Sequence, residues 1–462
     1  MEKHPQVTLE RIGRVVDELA RSLWMDRRPL RVAVYQCAEP IPYADAVRQA
    51  YQPVEVGFPW GPAWSTAWFH LEGDVPAAWA GRTVAALIDT GSEALVWAEG
   101  APAQGLDDNR RDFTLDGPQV NLYVEAAGNG AFGFGGADAP ANPTPFTLKQ
   151  AEIAWLHRPA WDLYHDLRVL HGLIAQLPAE SPRRARLLYT VNAAVNAYYR
   201  GGEARYANAR AILAAAFADP APASASDVTA LGHSHIDTAW LWPLRETVRK
   251  CSRTFATVLC YMETYPEYRY VQSQPQLYAF MKEHFPSLYA RIKQAVAEGR
   301  WEPEGGMWVE ADCNVPSGEA LVRQFLYGMQ FFREEFGVEC TILWLPDVFG
   351  YSAALPQILH GCGIRYFLTQ KLSWNQFNPI PHHTFWWEGI DGSRVLAHFP
   401  PADTYNGMMT PQELLHGERN FRDKDRSDTW LYLFGFGDGG GGVTTEMLEA
   451  ARRMRDVEGL PR

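Results

Sequence analysis

From Val228 onward, short apolar runs alternate with amphipathic segments, and few architectures accept that pattern. Val228–Leu231 precedes a helical period over Leu244–Tyr265, and Tyr270–Ser273 precedes one from Gln276 to about Ala297, ended by Gly299. Trp301 to Val309 reads as an irregular extended piece and Gly318–Phe336 as helix. Thr341–Leu345 precedes a helix near Ala354–His360, and Trp430–Phe434 precedes one over Thr445–Asp456. Tyr366–Thr369 and Val395–Phe399 read as further strands. Nearly continuous apolar strands must be covered on both faces. The alternation therefore predicts a parallel sheet covered by helices, a barrel-like β/α domain.

The preceding chain has other textures. Asp219 to Ser226 is rich in Pro, Ala and Ser, without periodicity, and reads as a linker. Residues 160–217 carry Ala- and Leu-rich helical periods. From Arg31 to about Glu152, short runs such as Arg31–Tyr35, Ala67–Leu71, Val84–Ile88 and Ala94–Ala98 are punctuated by Gly, Pro and Asp, which predicts an all-β sandwich. Thr8–Asp26 reads as a leading amphipathic helix. The expected organisation is an α/β protein: an amino-terminal β-sandwich with its helix over 1–158, a helical connection and linker over 159–226, and the β/α domain over 227–462. Trp60, Trp64, Trp68 and Trp97 are read as sandwich core and rim rather than a sugar platform.

Composition narrows the function classes. A formal net charge of -12, with no local Lys/Arg cluster, disfavours nucleic acid and anionic membrane as partners and suits a neutral ligand. Cys37, Cys251, Cys260, Cys313, Cys340 and Cys362 form no close pair, as expected of thiols in a reduced compartment. The first residues carry no apolar core of signal-peptide type, and no apolar run approaches membrane length. A cytoplasmic location is the expectation, with self-association left open.

Ligands of parallel α/β folds sit at the carboxyl ends of the strands. The first strand runs into His233, His235 and Asp237 at alternate positions, which share one face if the strand continues. Imidazole and carboxylate are ligands a divalent metal accepts. Two backbone-bonded histidines in a turn, with Asp237 capping the next helix, is the plainer alternative. Other strand ends deliver Gln272, Asp347, Lys371, Asp403 or Tyr405, and Asp438. Pro346–Gly350 also reads as a turn, but its place beside the other acids favours a site. Gly435–Gly442 lacks the Lys-Ser/Thr of a phosphate loop, and Asp438 would repel a phosphate. It reads as a pocket wall holding a carboxylate.

These residues carry a resemblance. Gly232–Trp242 resembles the first metal motif of glycoside hydrolase family 38, the retaining α-mannosidases. Ser273–Tyr278, Gly305–Glu310, Trp344–Ser352 and Gly437–Gly442 follow in the family's order. The β-rich amino-terminal region is similar to the cytosolic and vacuolar branch, which includes bacterial members.

The resemblance implies one Zn2+ or other divalent ion held by His235, Asp237 and Asp347, with His233 either supporting the ligands from behind or structural. A second histidine ligand belongs to a later region of the family pattern; His382 and His383 lie in the wrong part of the order. It also implies that Asp347 is the nucleophile and Asp438 the acid/base. Trp240 and Phe349 would wall the site, Lys371 and Tyr405 would bond sugar hydroxyls, and the substrate would be a mannose-containing oligosaccharide or glycoside. Two other classes fit the residues less well. A metal amidohydrolase or deacetylase would need Lys or His where later strands carry Asp and Gly. A non-catalytic carbohydrate-binding protein leaves the cluster of acids unexplained.

Overall fold

A computed structural model describes residues 4–134 and 140–462. The leading helix spans Pro5–Arg21 and buries Ile12, Val15 and Leu19. It stops short of the expected Asp26 because Trp24–Pro29 is taken into a strand against Gln150–Leu156. Pro5 suits the first turn, where its missing N–H has no helical partner.

Two large antiparallel sheets follow, with a two-stranded pair, Pro59–Trp60 and Phe146–Thr147, beside them among the described residues. One has six strands in the order Gln52–Val54, Arg31–Cys37, Thr66–Asp74, Gln119–Ala127, Ala94–Ala98, Ala101–Leu106. The other has four: Trp24–Pro29, Gln150–Leu156, Val84–Asp89, Asp112–Thr114. Alternate residues of each strand point inward, so Val34, Phe69, Leu71, Val96, Val124, Ile88 and Ile153 form one core. Each such side chain contributes about 1.5–3 kcal/mol by leaving water. Trp60 and Trp68 are fully buried, and the Trp60 indole donates to the Thr90 carbonyl at 2.8 Å, as core residues should.

Three helices, Arg158–Gln176, Pro182–Arg200 and Arg205–Phe217, pack with the leading helix and share a core with the chain beyond residue 227. There, strands Trp301–Pro303, Tyr270–Gln272, Asp227–His233 and Thr429–Phe434 form a parallel sheet in that order. Ile342–Leu345, Tyr366–Thr369 and Arg394–His398 form a second parallel run, edged by antiparallel Thr384–Glu388. A parallel bridge from Gly305 to Leu343 joins the two sheets. The carboxyl ends therefore converge on one rim.

Two local expectations fail. The helix expected over 276–297 is two helices, Pro275–His284 and Pro286–Ala297, because Pro286 has no N–H to continue the first. The Thr384–Glu388 strand was not foreseen. Its turn is closed by Asp391, whose carboxylate accepts from the Ser393 N–H and hydroxyl.

The helix Leu244–Thr264 is buried nearly all round although it is rich in polar residues. It lies against the β-sandwich, where the Gly105 N–H donates to Thr257 Oγ1 at 2.9 Å and a Cβ on Gly105 would stand 2.9 Å from the Arg253 carbonyl oxygen. Arg249 donates to Glu125 of the sandwich at 2.9 Å and to Glu246 at 3.0 Å, so its buried charge is paired on both sides.

Candidate active site

The strand Asp227–His233 ends two residues before the first acid-facing imidazole. The expected continuation of strand geometry through Asp237 does not occur. Pairing with Tyr270–Gln272 runs out at His233 and Val271, and the His235 N–H turns to the Gly437 carbonyl at 2.8 Å. Ser234 is held by hydrogen bonds with Tyr270 and Gln272 instead. His233 and His235 are thereby separated in role. His233 is fully buried and accepts from the Trp344 indole at 3.4 Å; burial, with the neighbouring His235 charge, pushes its pKa down to about 3.

His235 is the centre. It is 3% exposed. Its Nε2 lies 3.3 Å from Asp237 Oδ1 and 3.1 Å from Asp347 Oδ2, and its Nδ1 lies 2.8 Å from Glu310 Oε2. Burial alone would lower its pKa, but the charge of Glu310 and hydrogen bonds to Asp237, Asp347 and Glu310 raise it well above the ordinary value. One ligand atom from each of His235, Asp237 and Asp347 lies within 4.8 Å of the others. An imidazole nitrogen facing two carboxylate oxygens fits a divalent cation. Glu310 behind the imidazole would fix its tautomer.

Glu310 is itself fixed. The Ser273 hydroxyl donates to its Oε1 at 2.6 Å, and its N–H donates to Gln274 Oε1 at 3.2 Å. Gln274 is buried at φ 63°, a left-handed conformation uncommon for a residue with a side chain. That geometry lets its amide donate to the Ile236 carbonyl at 3.0 Å while its oxygen accepts from Thr238 at 3.2 Å. One strained residue thus ties the metal-type motif to the Glu310 segment. No role was foreseen for Glu310, Ser273 or Gln274. The signal was that both segments stood among the motifs carrying the resemblance.

Asp347 follows the strand Ile342–Leu345 and splits its oxygens. Oδ2 faces His235, and Oδ1 takes an ion pair from Lys371 Nζ at 2.6 Å. Burial raises the pKa of this carboxyl, yet His235 and Lys371 outweigh it and hold it below the usual value. Lys371 is boxed by aromatic rings, 3.4 Å from the Trp374 centroid, 4.9 Å from Phe349 and 5.2 Å from Tyr405. Tyr405 is buried, edge-on to His235 at 5.8 Å, and its phenol is pushed up by burial and by the charges of Asp347 and Asp438.

Asp438 approaches from the strand Thr429–Phe434, on the glycine-rich loop, with its N–H donating to Asn406 Oδ1 at 2.7 Å. Its carboxyl is raised, by burial first and then by Asp347 and Asp237, with His235 and Lys371 opposing. Two carboxyls in one field are therefore pushed apart, one down and one up. Trp240 (52% exposed) touches Phe132 edge-on, and Phe349 is 71% exposed beside Lys371. Other expected residues stand elsewhere. Gln272 serves Ser234 and Tyr270, Asp403 takes Asn420 and His416, and His382 and His383 gather on Asp423.

Residues 225–462 match the family described as glycosyl hydrolases family 38, N-terminal domain, and residues 28–154 match the jelly roll domain of α-mannosidase. The chain belongs to glycoside hydrolase family 38. Its members similar to this chain include α-mannosidase 2C1 of Homo sapiens, 44% identical over 480 residues, covering 100% of this chain and 46% of that protein. α-Mannosidase G of Dictyostelium discoideum is 39% identical, covering 100% and 45%, and the α-mannosidase of Saccharomyces cerevisiae is 35% identical, covering 88% and 40%. The chain spans about half the length of these family 38 relatives. Its architecture is thus a jelly roll followed by a family 38 α/β domain.

The position of Glu310 makes a prediction. Glu310→Gln removes the charge behind His235 but keeps the shape, and it should weaken divalent-metal affinity by about 10- to 100-fold. Metal titration against a competing chelator measures this.

Proposed function

We propose that this chain carries the catalytic site of a retaining, metal-dependent α-mannosidase acting on mannose-containing glycosides. The observation that carries the reading is Asp347. One of its oxygens faces the His235–Asp237 donor set, the other is paired with Lys371, and it shares its field with a second carboxyl of opposite tendency, Asp438.

His235, Asp237 and Asp347 would hold the metal, Zn2+ or another divalent ion. Bound there, it supplies a Lewis-acid contact for sugar hydroxyls and fixes the orientation of Asp347. Every other step belongs to the chain. Asp347, kept ionised by His235 and Lys371, forms a bond to the anomeric carbon as the bond from that carbon to the leaving oxygen breaks. Asp438, whose pKa is raised by burial and by its anionic neighbours, is the group that gives a proton to that oxygen. The resulting Asp438 carboxylate then takes a proton from water, whose oxygen displaces Asp347 and restores the starting state with net retention. Lys371 and Tyr405 offer hydrogen-bond donors to hydroxyls, and Trp240 and Phe349 offer apolar walls. The six cysteines are all unpaired, which supports a reducing, cytoplasmic setting. Among the described residues no helix is long and apolar enough to cross a membrane.

The pH profile tests these roles. Activity needs Asp347 ionised, so kcat/KM should fall as pH drops through its depressed pKa, below the usual carboxylate range. Activity also needs Asp438 protonated, so kcat/KM should fall as pH rises through its elevated pKa. Asp438→Asn should abolish the second limb and lower kcat/KM for phenyl α-mannoside by about 10²- to 10⁴-fold. A limb that persists in Asp438→Asn would assign the acid elsewhere.

A further inference from the structure

Behind the site lies a buried polar cluster that the reaction does not use. Lys250, 1% exposed, comes from the helix Leu244–Thr264. Its Nζ donates to Glu93 of the jelly roll at 2.8 Å, to the Ala131 carbonyl at 2.6 Å and to the Gly439 carbonyl at 3.3 Å. Arg253 also pairs with Glu93, at 2.9 Å. One turn along, the Thr254 hydroxyl reaches the Gly440 carbonyl, and Arg110 of the jelly roll donates to the Val443 carbonyl at 3.1 Å.

Three of the carbonyls gripped here, those of Gly439, Gly440 and Val443, belong to the segment that carries Asp438. That segment has little room to move. Gly439 and Gly440 sit at φ +74° and +77°. A Cβ on Gly439 would stand 3.0 Å from the Ala131 carbonyl oxygen, and one on Gly440 would stand 2.7 Å from Ile236 Cγ1. The loop is thus pressed between the jelly roll and the residue joining His235 to Asp237. Packing alone does not call for a buried ammonium at this seam, because an apolar side chain of similar volume is often as stable or more so. What an ammonium adds is direction, since it holds carbonyls and a carboxylate at fixed points.

We infer that Lys250 is a positioning residue for Asp438, and that through Glu93 the jelly roll sets where the proton donor stands. The inference rests on the acid role proposed above for Asp438. A donor misplaced by about 1 Å loses proton transfer to the leaving oxygen, while bond formation by Asp347 is untouched. Leaving groups that depart without a proton should therefore not feel Lys250.

The experiment compares kcat/KM for phenyl and dinitrophenyl α-mannosides in the full chain and three variants, each checked by thermal melting. In Lys250→Met, phenyl mannoside should lose about 10- to 100-fold and dinitrophenyl mannoside less than about 3-fold. Thr254→Val, which puts a methyl in place of the hydroxyl, should show the same tilt more weakly, and it decides the matter if Lys250→Met does not fold. Equal losses on both substrates, or no loss on either, would overturn the positioning role. Asp438→Asn separates the two readings. If it shows no leaving-group dependence, the acid assignment fails and the inference falls with it. If it shows the dependence and folded Lys250→Met does not, the inference alone fails.

Discussion

Replacing Asp347 with alanine is expected to lower kcat on an aryl α-mannoside by on the order of 10⁴-fold or more, as loss of a nucleophile does elsewhere. The fold should survive. Asp347 is held at the rim by side-chain contacts to His235 and Lys371 and is not part of the apolar core. The variant leaves the buried Lys371 ammonium without its carboxylate, although the rings of Trp374, Phe349 and Tyr405 remain around it. A modest fall in melting temperature, with an unchanged far-ultraviolet dichroism spectrum, is therefore expected beside the kinetic loss. Activity within about tenfold of the parent would be incompatible with the role of Asp347.

The second large effect separates the two histidines of the His233–His235 pair. His235→Ala removes the nitrogen that faces both Asp237 and Asp347 and leaves Glu310 Oε2 without its imidazole partner. The variant should purify with well under about one-tenth equivalent of divalent metal, and turnover should fall by on the order of 10³-fold or more. His233→Ala should behave differently. It empties a buried space beside Trp344 and removes the acceptor of that indole, a loss of about 2–4 kcal/mol in stability. Its metal content should stay near that of the parent. Elemental analysis of the two variants, run beside denaturant melts, reads both outcomes. Metal loss from His233→Ala with retention in His235→Ala would reverse the assignment.

Much of the family 38 α/β domain was legible because its strands are apolar on both faces and its helices are periodic. Tyr366–Thr369 and Gly318–Phe336 have the expected bounds. The residues at the strand ends were legible for the same reason, since topology brings those ends to one rim. What local pattern could not show came from tertiary contacts. Nothing in His233–Asp237 announces that the strand stops where its pairing partner runs out, or that Gly437 captures the His235 N–H. Glu310 looks like any exposed acid until Ser273 and the left-handed Gln274 fold it behind His235. The helical period over Leu244–Tyr265 is legible as a helix and no more, whereas in the fold Arg249, Lys250 and Arg253 on it are buried. Their partners Glu93 and Glu125 lie more than a hundred residues earlier, beyond the reach of periodicity.

The most direct test of the proposed mechanism is to trap the glycosyl intermediate. Incubation with a fluorinated α-mannosyl fluoride, which forms the intermediate faster than it hydrolyses, should inactivate the enzyme with time and add one sugar per chain. Peptide mapping by mass spectrometry should place that sugar on Asp347. A label on Asp438 or on any other carboxylate, or hydrolysis of an α-mannoside that releases β-mannose first, would contradict the account.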